Sequence, residues 1–124
     1  MQAIPSVSMD DVERVLARDF PDARAGMARA LLAEYGRRPW HREPVRVWPA
    51  VLKIADGRLD RLRRAIDMAD EDYRDVLSAA EYPQYASRVS PTARTSPAID
   101  AITEEDARQY ADWLRRDGPL RRES

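Results

Sequence analysis

The sequence predicts an all-α fold, a compact bundle of about five helices around one long central helix. Two observations predict it. Apolar residues recur every three or four positions, as on one stripe of a helix, at Leu59, Leu62, Ile66, Ala69, Tyr73, Val76 and Ala80. No glycine or proline interrupts the chain between Gly57 and Pro83. Asp is a modest helix former and a good cap, which allows a break near Ala69–Asp70, but the unbroken stripe favours one continuous helix over about 58–82.

Shorter helices are expected on either side of this stripe. Ser8 can cap a first helix that ends near Asp19, before Pro21. Pro21 can begin a second helix, which ends at Gly36. Its expected inward side chains are those of Met27, Ala30, Leu31 and Tyr35.

The third helix is expected from Pro44 to Asp56, with a kink or a delayed start at Pro49, and it should be the most buried element. Residues 83–101 contain three prolines and are predicted to form an irregular segment. Thr103 then begins a fifth helix, which stops at Gly118. Along the outer face of the long helix, oppositely charged residues are spaced four apart: Asp60 and Arg64, Arg63 and Asp67, Asp70 and Arg74.

Length and composition set the class of protein. A chain of 124 residues predicts one helical domain over 1–124, with flexible ends at 1–7 and 119–124. There is no cysteine, no signal-like start and no long apolar run, which predicts a cytoplasmic protein outside the membrane. The formal net charge of −1 argues against nucleic acid as a partner.

The loop at 37–46 is the first candidate site. It brings four guanidinium groups, an imidazole and an indole close together, and we take as candidate ligand-binding residues Arg37, Arg38, Trp40, His41, Arg42 and Arg46. Arginine binds phosphate and carboxylate groups, and tryptophan can stack on a base. The alternative is that these arginines pair with acidic residues at 67–75 while Trp40 packs into the core.

The end of the long helix is a second candidate site. Tyr82 and Tyr85 flank Pro83, and tyrosine is favoured at protein interfaces. These two residues could dock a partner. The alternative is a tyrosine-anchored turn that packs the following segment onto the bundle.

Catalysis and metal binding have little support in the sequence. The acidic residues between 67 and 75 lack the Glu-x-x-His motifs of helical di-metal sites, since His41 is the only histidine. His41 has no recognisable nucleophile partner, and no glycine-rich phosphate loop is present. We therefore expect no metal, no cofactor and no enzymatic activity.

Two runs carry a resemblance, residues 54–62 (IADGRLDRL) and residues 72–83 (DYRDVLSAAEYP). They resemble small helical bacterial proteins to which no activity has been assigned, over about residues 40–85. The resemblance implies a bacterial source and one structural unit over 44–83. It implies no functional residue.

Two functional hypotheses follow. The first is a non-catalytic interaction protein that binds an unknown protein partner or forms a homodimer, because five short helices leave part of the 59–80 stripe to be covered. The second is a protein that binds a small anionic or phosphorylated ligand through the 37–46 loop.

Overall fold

The computed structural model describes residues 7–89 and 96–116, and this part of the chain contains helices and no strand. The helices are α1 (Met9–Asp19), α2 (Arg24–Glu34), α3 (Pro44–Ala55), α4 (Leu59–Glu81), α5 (Pro83–Arg88) and α6 (Pro97–Arg115). The all-α prediction is confirmed, with one helix more than expected. None of these helices combines the length and the apolarity that a membrane span requires. The predicted flexible ends, apart from Val7, lie outside the described residues.

The core lies between α3 and α4, which share the largest helix–helix contact. Val51, Leu52 and Leu62 are completely buried, and Ile66 exposes only 3% of its surface, as the stripe predicts. Helices α1 and α2 also pack against this pair. Five of the seven stripe residues are buried, and Leu59 and Tyr73 are half-buried. The chain itself thus covers most of the stripe, and a homodimer stays a prediction.

Helix α4 is broken at Asp72, where the prediction of a continuous helix was wrong. Asp72 has extended dihedral angles (φ −157°, ψ 100°), and its carboxylate accepts a hydrogen bond from the Arg74 backbone N–H at 3.1 Å. Asp72 therefore acts as an N-cap for residues 73–81. The buried stripe continues on both sides of the break, through Ala69 and Val76, so its periodicity cannot reveal the kink.

Helix α2 begins later than predicted. Asp22 adopts a positive φ of 63°, so the chain turns after Pro21 and becomes helical only at Arg24. The buried face is formed by Ala28, Leu32 and Tyr35, while Met27 is 53% exposed. Of the predicted inward residues, Tyr35 is buried, Leu31 is half-buried, and Met27 and Ala30 are exposed.

Helix α3 begins at Pro44 as predicted, and it continues through Pro49 without a break. Proline at this position costs one intrahelical hydrogen bond, but Pro49 and its neighbours Ala50 and Val51 are buried. Burial of this segment against the bundle supports the helix across the missing bond. Asp56 and Gly57 then reverse the chain with positive φ values of 52° and 79°.

The irregular segment predicted at 83–101 is wrong at both of its ends. Pro83 begins α5, and Pro97 begins α6 after Ser96, whose side chain accepts a hydrogen bond from the Ile99 backbone N–H. Proline suits the first turn of a helix because its missing N–H has no partner there. Thr103, the predicted start, lies inside α6 and donates to the Asp100 carbonyl at 2.8 Å. Residues 90–95 lie outside the described residues.

Candidate functional site

The loop between α2 and α3 is held by a buried histidine. The His41 side chain is only 2% exposed. Its Nδ1 accepts hydrogen bonds from the backbone N–H groups of Gly36, at 2.7 Å, and Arg38, at 3.2 Å. Its Nε2 lies 2.6 Å from Oδ1 of Asp70 on α4. Because Nδ1 accepts, the network assigns the ring proton to Nε2, which donates to Asp70.

Tyr35 provides a second anchor for the loop. Its ring stacks on His41 with centroids 4.3 Å apart, and its hydroxyl donates to the Arg42 carbonyl at 2.7 Å. Burial raises the pKa of the Tyr35 hydroxyl, so this donor stays protonated at neutral pH. Gly36 makes the entry turn with a φ of 107°, where an added Cβ would lie 3.3 Å from Cβ of Pro44.

Trp40 projects outward from this anchored loop. It is 56% exposed, the highest value among the large apolar residues of the described chain. Its ring meets His41 edge-on at 5.8 Å, and the Arg38 guanidinium lies 5.3 Å from its centroid. The alternative that Trp40 packs into the core is therefore wrong.

The candidate arginines do not converge. Arg46 forms a two-pronged ion pair with Glu81, with Nη2 2.6 Å from Oε1 and Nε 2.9 Å from Oε2. Arg37 and Arg38 line one groove of about 460 Å³, and Arg42 lines another of about 340 Å³. The two grooves meet at Tyr35 and Asp70, which line both.

Carboxylates outnumber guanidinium groups in each groove. Glu34, Asp67 and Asp70 line the first groove beside its two arginines. The second groove holds Arg42 and Arg74 together with Asp70, Glu71 and Asp72. A hydrogen bond from His41 lowers the pKa of Asp70, and one from Arg63 lowers the pKa of Glu34, so both carboxylates are ionised at neutral pH. A small anion would meet this negative charge in either groove.

The kink at Asp72 changes the expected pairs on the outer face of α4. Arg64 reaches Asp60 at 3.2 Å and Arg63 reaches Asp67 at 3.3 Å, as predicted. The third expected pair does not form, because Asp70 binds His41 and Arg74 binds Asp72 instead. Within the described residues, Asp70 is thus the acidic residue of 67–75 that binds the loop, through His41, and none of the group forms an ion pair with a candidate arginine of the loop.

Tyr82 and Tyr85, the second candidate site, lie at the junction of α4 and α5. Their rings meet edge-on at 6.1 Å, and both residues are half-buried. The backbone N–H groups of Gln84 and Tyr85 donate to the carboxylate of Asp106 on α6, at 3.2 and 2.9 Å. This geometry favours the alternative of a packed turn, and partner docking through the tyrosines stays a prediction.

Several buried charged residues were missed at the level of sequence. Glu81, Asp106 and Arg18 expose 3%, 2% and 5% of their surfaces. Arg18 donates to the carbonyls of Trp113 and Arg116 at the end of α6. Glu81 follows Leu77 by four positions and Arg18 follows Val15 by three, so each lies on an apolar helix face. A charged residue on an otherwise apolar helix face is the sequence signal that could have identified Glu81 and Arg18 as buried.

Within the described residues, no group of three or more His, Cys, Asp or Glu side chains is arranged to hold a metal ion. Comparisons with protein-family models, with curated proteins and with solved structures found no match. The resemblance over residues 40–85 therefore gains no support from them, and a functional interpretation has to be built on the geometry of the chain itself.

Proposed function

We propose that this chain is a non-catalytic interaction protein that pairs with a second copy of itself through the Trp40 surface. This surface consists of five exposed side chains, those of Arg38, Trp40, Arg42, Asp70 and Glu71. The observation that carries the proposal is the exposure of Trp40 on a loop that buried groups hold in place.

Tryptophan and arginine are the residue types most enriched among interface hot spots. Trp40 also contacts Arg38 and His41 within the monomer, yet it keeps more than half of its surface exposed. A loop already fixed by His41 and Tyr35 loses little conformational entropy when a partner binds. The Trp40 surface thus combines a hot-spot residue with preorganisation.

The charges of the surface favour a second copy as the partner. Arg38 and Arg42 lie beside Asp70 and Glu71, so both signs are present on one face. A two-fold axis brings the same patch onto itself and can place each sign opposite the other. A strongly acidic or strongly basic partner would instead face like charges.

Sedimentation equilibrium from micromolar to millimolar protein tests the proposal. We expect a monomer–dimer equilibrium that weakens with added salt, because exposed charges are screened. Replacing a hot-spot residue costs about 2 kcal/mol or more, so Trp40→Ser should raise the dissociation constant about 30-fold or more.

The matched control is Met27→Ser, which removes another exposed apolar side chain, on α2 and outside the Trp40 surface. It should leave the dissociation constant unchanged. A 14.2 kDa monomer at every concentration would contradict the proposal. Equal weakening by both substitutions would also contradict it, because the contact would then be nonspecific.

Binding of a small anionic or phosphorylated ligand through the 37–46 loop remains the second candidate. The presence of Arg37 and Arg38 in one groove of about 460 Å³ favours it. The three carboxylates of that groove, and the commitment of Arg46 to Glu81, weaken it.

A further inference from the structure

The hydrogen bonds of His41 depend on the protonation state of its ring. Nδ1 accepts from two backbone N–H groups at once, those of Gly36 and Arg38. An imidazolium carries a proton on both nitrogens and has no acceptor. A proton added at Nδ1 would point at these two N–H groups, and both bonds would be lost.

The contact with Asp70 responds differently. Nε2–H donates to the Asp70 carboxylate in the neutral ring and would donate to it more strongly in the imidazolium, as a charge-assisted bond. The His41 hydrogen bond lowers the pKa of Asp70, so this carboxylate stays charged at neutral and mildly acidic pH. Protonation therefore separates the ring from the turn at residues 36–38 and leaves the ring bonded to α4.

We infer that His41 is a proton-sensitive latch, which holds the turn at residues 36–38 closed when neutral and releases it when protonated. Its effect on pairing rests on the proposed function, whereas the latch itself is a property of the monomer. A proton is admitted only to the released form, so acidification shifts the population toward release.

Other titratable groups lie around the ring. Those that line the groove together with His41 are Tyr35, Arg42, Asp70, Glu71, Asp72, Tyr73 and Arg74. Asp72 and Arg74 neutralise each other as an ion pair. Asp70 contacts the ring directly, and Glu71 lines the same groove.

Release of the turn would alter the Trp40 surface. Arg38 is fixed by its backbone bond to His41 and lies over the Trp40 ring. Freeing its backbone removes one support of this pair. The two grooves meet at Tyr35 and Asp70, beside His41. They would also lose the backbone hydrogen bond that holds Arg38 in place. Acidification is therefore expected to weaken pairing through the Trp40 surface.

Amide NMR on dilute protein tests the latch without any partner. Spectra are recorded in steps from about pH 7.5 to about pH 5.5. We expect the Gly36 and Arg38 amide resonances to shift together with the His41 ring nitrogens. His41→Gln keeps a hydrogen-bond acceptor but has no ionisable ring. In this variant the Gly36 and Arg38 amide resonances should therefore not change with pH.

If His41→Gln does not fold, the ring nitrogen spectrum of the unsubstituted protein decides by itself. The latch requires a neutral ring protonated on Nε2 at the start and protonation of Nδ1 in step with the amide shifts. Amides that stay constant while Nδ1 takes up a proton would overturn the latch. A ring that stays neutral throughout would overturn it as well.

Sedimentation at the same two pH values separates the two proposals. We expect the dissociation constant to rise about fivefold or more on acidification, the lower end of the usual coupling between two linked sites. Amide shifts without any association at neutral pH would support the latch and overturn the pairing. If pairing depends on Trp40 but the Gly36 and Arg38 amide shifts do not change with pH, the proposed function is supported and the latch is overturned.

Discussion

The loop at 36–43 and the α4–α5 junction at 81–85 contain similar residues but use them in opposite ways. Each combines aromatic rings with charged groups next to a helix end. In the loop, a buried histidine side chain supports an exposed tryptophan. At the junction, two charged side chains are buried, Glu81 and Asp106, and the tyrosines are half-buried. The difference separates a surface for which we propose a binding role from a contact that holds helices together.

The cost of burying charge explains this division. A buried carboxylate is destabilising unless its oxygens are satisfied. Glu81 is satisfied by the guanidinium of Arg46, and Asp106 by two backbone N–H groups of α5. These contacts tie α4 to α3 and α5 to α6. The loop needs no buried charge, so its arginines stay at the surface.

The largest expected effect is at the junction. Glu81→Gln removes the charge that pairs with Arg46, whose side chain is only 20% exposed. Loss of one partner of a buried pair should lower the free energy of unfolding by about 3–5 kcal/mol. Urea denaturation measures this loss of unfolding free energy.

The control is Asp67→Asn, which removes an ion pair on the surface and should change the free energy of unfolding by less than about 1 kcal/mol. If both substitutions lower the free energy of unfolding equally, the buried Glu81–Arg46 pair contributes no more to stability than a surface ion pair, which would contradict this account.

A substitution in the core provides a reference for the loss of stability expected at the α4–α5 junction. Leu62 is completely buried between α3 and α4, and Leu62→Ala should cost about 2–5 kcal/mol because it leaves a cavity. The same urea titration reports it. A loss below about 1 kcal/mol would mean that the stripe is not the core of the protein in solution.

The loop arginines should contribute little to stability. Arg38 and Arg42 are exposed, so changing both to alanine should alter the free energy of unfolding by less than about 1 kcal/mol. Inorganic phosphate should not shift the melting temperature of the unsubstituted protein, because carboxylates outnumber arginines in both grooves. A salt-sensitive shift that the double variant abolishes would favour the anion-binding alternative instead.

Periodic features of the sequence predicted the parts of the fold that depend on burial alone. The stripe at 59–80 located the core, and Ser8 located the start of α1, where it forms a capping box with Asp11. The break at Asp72 was not predictable in this way, because burial continues across it. The prolines at 83 and 97 were interpreted as breakers, whereas the structure uses both at helix starts.

Contacts between distant residues account for the remaining errors at the candidate site. The role of His41 depends on Asp70, and the role of Arg46 depends on Glu81, which lie 29 and 35 residues away. Composition placed six candidate residues in one loop, but only the fold shows that Arg46 belongs to the junction and that Trp40 is exposed. Local sequence cannot show which charges a later helix will supply.

The most direct test of the central claim is an amide NMR spectrum followed on dilution from millimolar to micromolar protein. If two copies pair through the Trp40 surface, resonances of residues 36–43 and 67–74 will shift with concentration, together with the Trp40 indole N–H. Those of the junction at 81–85 will stay constant. A spectrum that does not change on dilution, or one whose changes fall at 81–85 and not around Trp40, would contradict the account.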